Sequence, residues 1–416
     1  MERFGLDFGT TNSSLAWARR DGKVMLCRLD PPALNPHVLR SLLYFSIERR
    51  GFVVGHNAIT EYLAEDMQGR MMQSIKTFLA DESFEQTFVY DRYYSLEDLI
   101  AVVFRHVRAV IAKLTRDDIG LVIGRPAGFV DQPEKEGLAQ TRLRRAAQLA
   151  GFFVTEFQYE PIAAGLAYEM SLAQPEVALI ADFGGGTSDF TVMRLGTGAQ
   201  GDRREDILAT GGVQIAGDSF SASIMQQKLS KYFGAGSTYR SMEGQDLPFP
   251  SQLLAKLSRW HQVAFLRSRE TREQLRRLRV SGSNPAAVRA LEDLIEGNSA
   301  FYLFQAIENA KSELSTAESA VIRFDRDDIR IEEPITRSEF ETLIAPDRER
   351  IRRCMHRVLR EADCTPAQVQ AVFMTGGTAQ IPAIRGMFEA EFGAAKLKSK
   401  DYLTSVAVGL GVSAGR

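Results

Sequence analysis

A chain of 416 residues has room for about two to four compact units of roughly 100–200 residues each, so a single small domain is excluded. Its 44% hydrophobic and 25% charged content belongs to a globular protein with sizeable cores rather than to a disordered chain. Lys plus Arg (51) nearly balances Asp plus Glu (53), and a net charge of −2 offers no general attraction to nucleic acid or anionic lipid. The three cysteines, Cys27, Cys354 and Cys364, form no CxxC pair and suit a reducing compartment. No apolar run approaches the roughly 18 residues of a membrane helix, and no cationic-then-apolar leader precedes the start at Phe4. A cytoplasmic protein without nucleic-acid or membrane partners is expected.

Arg3 to Phe8 alternates with period two and runs through a Gly-Thr-Thr-Asn turn into Ser14 to Ala18, which predicts a hairpin. Arg20-Asp21-Gly22 marks a second turn, and Lys23 to Arg28 continues as a third strand. Ile119 to Ile123 reads as a strand, Glu134 to Ala150 as a helix closed by Gly151, and Phe152 to Phe157 as another strand. Pro161, after Glu160, suits the first turn of a helix extending to Met170. The apolar run Val177 to Ala181 then leads into Asp182-Phe183-Gly184-Gly185-Gly186-Thr187-Ser188-Asp189. This turn echoes Asp7-Phe8-Gly9-Thr10-Thr11-Asn12-Ser13 with an offset of 175 residues, from 7 to 182. Both copies lie between strand-like runs, which points to duplication of one ancestral half.

Gly234 to Pro250 reads as a loop, and Ser251 to Arg279 as a long helical stretch with eight Lys/Arg against two Glu. Leu257, Trp260, Ala264, Leu275 and Leu278 keep a partial apolar stripe there, so the basic side is read as a solvated face. Ser299 to Thr316 predicts a helix with Glu308 and Lys311 on one side. Val369 to Met374 predicts a buried strand broken by Thr375-Gly376-Gly377-Thr378, and Ile381-Pro382 opens a helix.

A strand that ends in aspartate and turns through Gly and Thr gathers backbone N–H groups, hydroxyls and a carboxylate in a small volume. Glycine lets a phosphate approach the backbone, and successive N–H groups form an anion nest. A phosphate chain arrives with magnesium, which keeps much of its water and needs one or two carboxylates, so Asp7 and Asp182 are candidates to hold the hydrated ion from two sides. No Walker A loop and no HExxH is present, so the Walker-type phosphate loop and metalloprotease chemistry are unsupported.

With Leu6 to Ser13, Tyr159-Glu160-Pro161-Ile162-Ala163-Ala164, Asp182 to Asp189 and Met374 to Pro382 in this order, the chain resembles the actin-like ATPase superfamily. It is most similar there to the nucleotide-binding domain of the DnaK-type, seventy-kilodalton heat-shock chaperones, in particular to the short YegD-type members. The resemblance implies an α/β, two-lobed actin-like fold of duplicated ribonuclease H-like lobes around a nucleotide cleft. Lobe I would span 1–175 and lobe II 176–416, with a helical subdomain at about 234–316. It implies an ATP-binding, slowly hydrolysing switch with ATP/ADP and Mg as cofactors.

By the same resemblance, Gly9, Thr10, Thr11 and Asn12 form the first phosphate loop and Gly184, Gly185, Gly186 and Thr187 the second. Asp7, Asp182 and Glu160 would order magnesium, mostly through water, and Lys76 would be the catalytic lysine near the γ-phosphate. Asp189 and Thr187 would orient water or contact that phosphate, and Pro161 would link the lobes. Glu308 and Lys311 match positions for ribose and base, Gly376 and Gly377 the turn against the adenosine, and Gly217-Asp218 a weaker family stretch. Ser312 and Gln380 stand where the family stacks adenine between two arginines. Losing such contacts, worth roughly 0.5 to 2 kcal/mol each, implies about tenfold weaker binding or a looser base preference.

The chain stops at Arg416, seven residues beyond Gly409, so the family's peptide-binding sandwich is expected to be missing. A protein client or cochaperone would then engage the 234–300 region. Two other activities fit the scaffold. One is a nucleotide-gated assembly module without useful hydrolysis, against which the retention of Lys76, Glu160 and Asp189 argues. The other is a small-molecule kinase, for which Gly124-Arg125-Pro126-Ala127-Gly128 supplies no general base.

Overall fold

The computed structural model describes residues 1–65, 68–127, 132–169, 172–196, 198, 203–241, 243–259, 263–297, 299–398 and 404–415. Gly128, Met170, Trp260 and Arg416 from the sequence reading lie outside the described residues. The chain divides into two compact units. The first is Met1–Gln214, Ile351–Ala379 and Ile384–Arg416, and the second is Ile215–Arg350 with Gln380–Ala383. The expected boundary at 175/176 falls inside the first unit, between its two large sheets.

Those two sheets share a five-strand topology, to which the first adds Val38–Arg40 beside Asn12–Ala18. In one, Glu2–Phe8 pairs antiparallel with Asn12–Ala18, which pairs with Val24–Leu26. On its other side Glu2–Phe8 pairs parallel with Ile119–Arg125, followed by Val154–Tyr159. In the other, Glu176–Phe183 pairs antiparallel with Ser188–Leu195 and through it with Ile207–Val213, while its second edge takes Ala371–Thr375 and then Leu397–Lys398, both parallel. The central strand of each sheet ends at one of the echoed aspartates, with Asp7 opposite Ser14 and Asp182 opposite Asp189. The repeat legible in eight residues is thus repeated in strand order.

One face of the first sheet buries Phe4, Leu6 and Phe8 against Leu99, Val103, Phe104 and Val107 of helix Leu96–Leu114. That helix starts at a capping box, Ser95 with Asp98, which satisfies two of its free N-terminal donors. Helix Pro133–Leu149 packs beside it and ends as expected at Gly151 (φ +86). Its closing bonds, Gly151 N–H to Gln148 O (2.9 Å) and Phe152 N–H to Ala147 O (2.9 Å), enlist Phe152, so the next strand begins at Val154 and not at Phe152. The opposite face is covered by helix Ser405–Gly415, which also packs on helix Glu160–Glu169. Its approach is so close that a Cβ on Gly5 would lie 2.3 Å from the Gly411 nitrogen.

Residues 29–118 gave few signals in sequence and hold short strands. Gly51–Val54, Leu42–Ser46 and Arg70–Gln73 form a three-stranded sheet, and Gln86–Val89 pairs with Arg92–Ser95. The third meander strand is shorter than expected, Val24–Leu26.

Two expectations for the second unit need correction. The Gly234 to Pro250 loop contains a hairpin, Thr238–Arg240 with Asp246–Pro248. The long 251–279 helix is broken into Ser251–Leu257, a short turn Ala264–Arg267 and Arg269–Ser281. The last of these starts anew because extended Ser268 caps it, its side chain accepting from Thr271 N–H. The stripe residues Leu257, Leu275 and Leu278 are buried as predicted.

Candidate functional site

The two aspartates sit on tight turns. After Asp7, Gly9 folds so closely that a Cβ would stand 2.1 Å from Asn12 O, and Thr10 and Thr11 form the bend before Asn12 opens the next strand. After Asp182, Gly184 N–H donates to Thr187 O (2.9 Å), and the Thr187 hydroxyl donates to Asp189 Oδ2 (2.8 Å). A Cβ on Gly186 or on Gly377 would meet nothing within 4 Å, so packing does not demand glycine at either position. Thr375 lies beside Asp182 in the parallel pairing, and its hydroxyl donates to Asp182 Oδ1 (2.6 Å). The chain can then turn back only at Gly376, whose φ of +83 and whose missing Cβ, 1.8 Å from Phe183 O, exclude any other residue.

Lys76 comes from a stretch without periodicity. Ser74 is held at φ +58 ahead of the short turn Ile75–Phe78, and this aims Lys76 inward to meet Glu160, the first residue of helix Glu160–Glu169. The Lys76 ammonium donates to Glu160 Oε1 at 2.6 Å, with 9% and 12% of the two side chains exposed. Glu160 has room because the strand beneath it carries Gly124, where a Cβ would stand 2.9 Å from Glu160 Cγ.

Electrostatics tie these groups into one cluster. Burial first, then the Glu160 and Asp182 charges, push the Asp7 carboxyl up to about 8 against the pull of Lys76. Burial raises Glu160, Lys76 pulls it back and Asp182 adds to the rise, leaving its pKa above the usual carboxylate value. Burial works against the Lys76 ammonium, yet Glu160, Asp7 and Asp182 hold it above the usual lysine value. Asp189 is pushed up to about 7 by burial and Asp182, with Thr187 opposing; its solvent-facing edge lets water offset part of that rise. Asp7, Glu160, Asp182 and Asp189 thus interact electrostatically with Lys76 and with one another as one cluster.

In the second unit, Glu308, Lys311 and Ser312 lie on helix Ala300–Glu313 as expected. Lys311 donates to Gly217 O (2.9 Å), Ser221 Oγ (2.7 Å) and Glu308 Oε1 (2.8 Å), and Ser221 also donates to Glu308. Ser312 and Gln380 are exposed. Sequence reasoning gave no role in the site to Gly124, Ser221 or Thr375. Only Thr375 carried a signal, as the last residue of a strand before a glycine turn.

A family model described as Hsp70 protein matches residues 54–245 and 293–415. The chain belongs to the Hsp70 family. It is similar over 99% of its length to the chaperone protein DnaK of Thermotoga petrophila, at 25% identity and covering 58% of that protein. DnaK of Thermus thermophilus is 23% identical with 60% covered, and the chaperone protein HscA homolog of Shewanella oneidensis 26% identical with 57% covered. The chain therefore spans less than two thirds of the length of these relatives. Its mixed α/β architecture, with one strand topology occurring twice, is the actin-like fold of Hsp70 ATPase domains.

Proposed function

We propose that this Hsp70 family member is a chaperone-type ATPase that binds ATP with magnesium and hydrolyses it slowly, using the change of nucleotide as a conformational switch. The observation that carries the reading is the buried Lys76–Glu160 pair set among Asp7, Asp182 and Asp189. Among the described residues no three His, Cys, Asp or Glu side chains converge as a direct metal cage. That donor set suits magnesium held through its own waters by Asp7, Asp182 and Glu160, where it would neutralise phosphate charge.

In this reading the backbone of Gly9 to Asn12 and of Gly184 to Thr187 cradles the phosphates. Lys76 stabilises charge on the transferred phosphoryl group, and Asp189, fixed by Thr187, orients the attacking water. No helix among the described residues is long and apolar enough to cross a membrane, and the three free cysteines support a reducing, cytoplasmic setting. The family match breaks between 245 and 293, and exposed Arg272, Arg276 and Arg277 lie there, which supports the 234–300 region as the surface for a client or cochaperone.

Phosphate release from Mg-ATP tests the reading. Lys76→Ala, Asp7→Asn and Asp182→Asn should each lower turnover by at least about 100-fold. Wild-type rates in all three variants would sink it, and ATP binding without any phosphate release would favour a nucleotide-gated assembly module.

A further inference from the structure

We infer that Arg142 is a positioning residue for phosphoryl transfer, clasping the chain just beyond Lys76 and so holding that ammonium on Glu160; this rests on the role proposed above for Lys76. Arg142 lies on the core-facing side of helix Pro133–Leu149, in the buried row of Ala139, Leu143 and Ala146. A guanidinium is costly in such a place unless its protons are bonded. Its ion pair with Glu97 is long, 3.8 Å, so the compensation comes from elsewhere. Nη1 donates to Phe78 O (2.8 Å), Asp81 O (2.9 Å) and, more weakly, Leu79 O (3.3 Å), and Nη2 donates to Phe84 O (2.8 Å). Four backbone carbonyls of the stretch that follows Lys76 thus converge on one side chain of another element.

That stretch has no ladder of its own. The turn Ile75–Phe78 is closed by Thr77 N–H to Ser74 O (3.0 Å) and Leu79 N–H to Lys76 O (3.1 Å). It is entered from Ser74 at φ +58, a left-handed conformation that a serine keeps only where its surroundings fix it. Ile75 and Leu79 are set in the core on either side of Lys76. Two apolar anchors fix the depth of the turn and leave it free to rock about the line between them; the bonds to Phe78 O, Asp81 O and Phe84 O remove that freedom. A rigid, planar fork can hold several carbonyls at once, which a flexible ammonium cannot. Rocking of the turn would carry the Lys76 ammonium off Glu160, and a misplacement of about 1 Å at a reacting centre can cost on the order of 100-fold in rate.

Single-turnover phosphate release and equilibrium binding of Mg-ATP, measured on the full chain, test this. Arg142→Met should lower the release rate by about 100-fold and Arg142→Lys by about 10-fold, each with a dissociation constant within about threefold of wild type. Should the methionine variant fail to fold, the lysine variant decides; failure of both to fold would assign Arg142 to stability and overturn the inference. So would release at the wild-type rate in Arg142→Lys, or a dissociation constant that rises as steeply as the rate falls. In a Lys76→Ala chain, Arg142→Lys should change the residual rate by less than about twofold, because no ammonium is left to position. An equal loss in both backgrounds would make Arg142 a structural residue only. If Lys76→Ala by itself released phosphate at the wild-type rate, the proposed site would fall and the inference with it. A slow Lys76→Ala beside a wild-type Arg142→Lys would sink the inference and leave the site standing.

Discussion

Lys76 and Glu160, 84 residues apart in sequence, meet at 2.6 Å with almost no solvent between them. The pair stands among other carboxylates, so its two halves are not equivalent for stability. Lys76→Met leaves Glu160 buried beside Asp7 and Asp182 without its cation, and should destabilise the fold by about 3 kcal/mol. Glu160→Gln removes one of several like charges and should cost far less, or stabilise. Both should abolish phosphate release. Chemical denaturation of the two variants beside wild type checks the asymmetry, and equal losses would contradict it.

The Asp7 carboxyl ionises near 3.8 in an unfolded chain and is pushed up to about 8 in the folded protein. Between those values folding takes up a proton, so the ligand-free protein should lose stability as pH rises from about 5 to 8. Asp189, raised to about 7, acts in the same direction. Asp7→Asn should flatten the slope. Magnesium with nucleotide should also flatten it, because a cation favours the ionised carboxylate. Melting temperatures at pH 5.5 and 8, with and without Mg-ATP, provide the measurement; a wild-type slope of opposite sign would refute the assignment.

Gly124→Ala places a methyl group 2.9 Å from Glu160 Cγ and 3.2 Å from Leu410 Cδ1. The methyl should swing Glu160 off Lys76 and lower turnover by about 10- to 100-fold, with a smaller effect on nucleotide affinity. Single-turnover phosphate release set against equilibrium binding separates the two effects.

Arg203 is 2% exposed, donates to both oxygens of Glu169 (2.6 and 2.8 Å) and to Asp206 (2.7 Å), and ties the chain after the second hairpin to the far end of the Glu160 helix. Arg203→Met takes the guanidinium away from two buried carboxylates and should cost about 3 kcal/mol. Turnover at low temperature should stay within about twofold of wild type, because no residue of the proposed site touches this clamp. A large rate loss at full folding would show that the helix transmits the clamp's state to Glu160.

The parts of the site that could be read in sequence were those with local rules. Aspartate-to-glycine turns between alternating strands, proline in a first helical turn and a one-turn Glu308–Lys311 spacing each follow from neighbouring residues. What escaped was set at long range. Lys76 finds Glu160 only through an irregular turn after Ser74, and Thr375 bonds Asp182 across 193 residues by parallel pairing. The commitment of Lys311 depends on Gly217 and Ser221, more than 80 residues upstream. The break at Ser268 was hidden because an apolar stripe continues in phase on both sides of it, and the strands of residues 29–118 are too short for period two to stand out.

The close contact between Gly5 and Gly411 bears on biosynthesis. The strand holding Gly5 is covered by a helix that lies about 400 residues further along the chain, so the first unit cannot close its apolar face until that helix has been made. During that interval Gly5 and its neighbouring strands present an uncovered greasy face to the cell. A member of a chaperone family is, by this topology, itself a slow folder that stands to gain from being chaperoned.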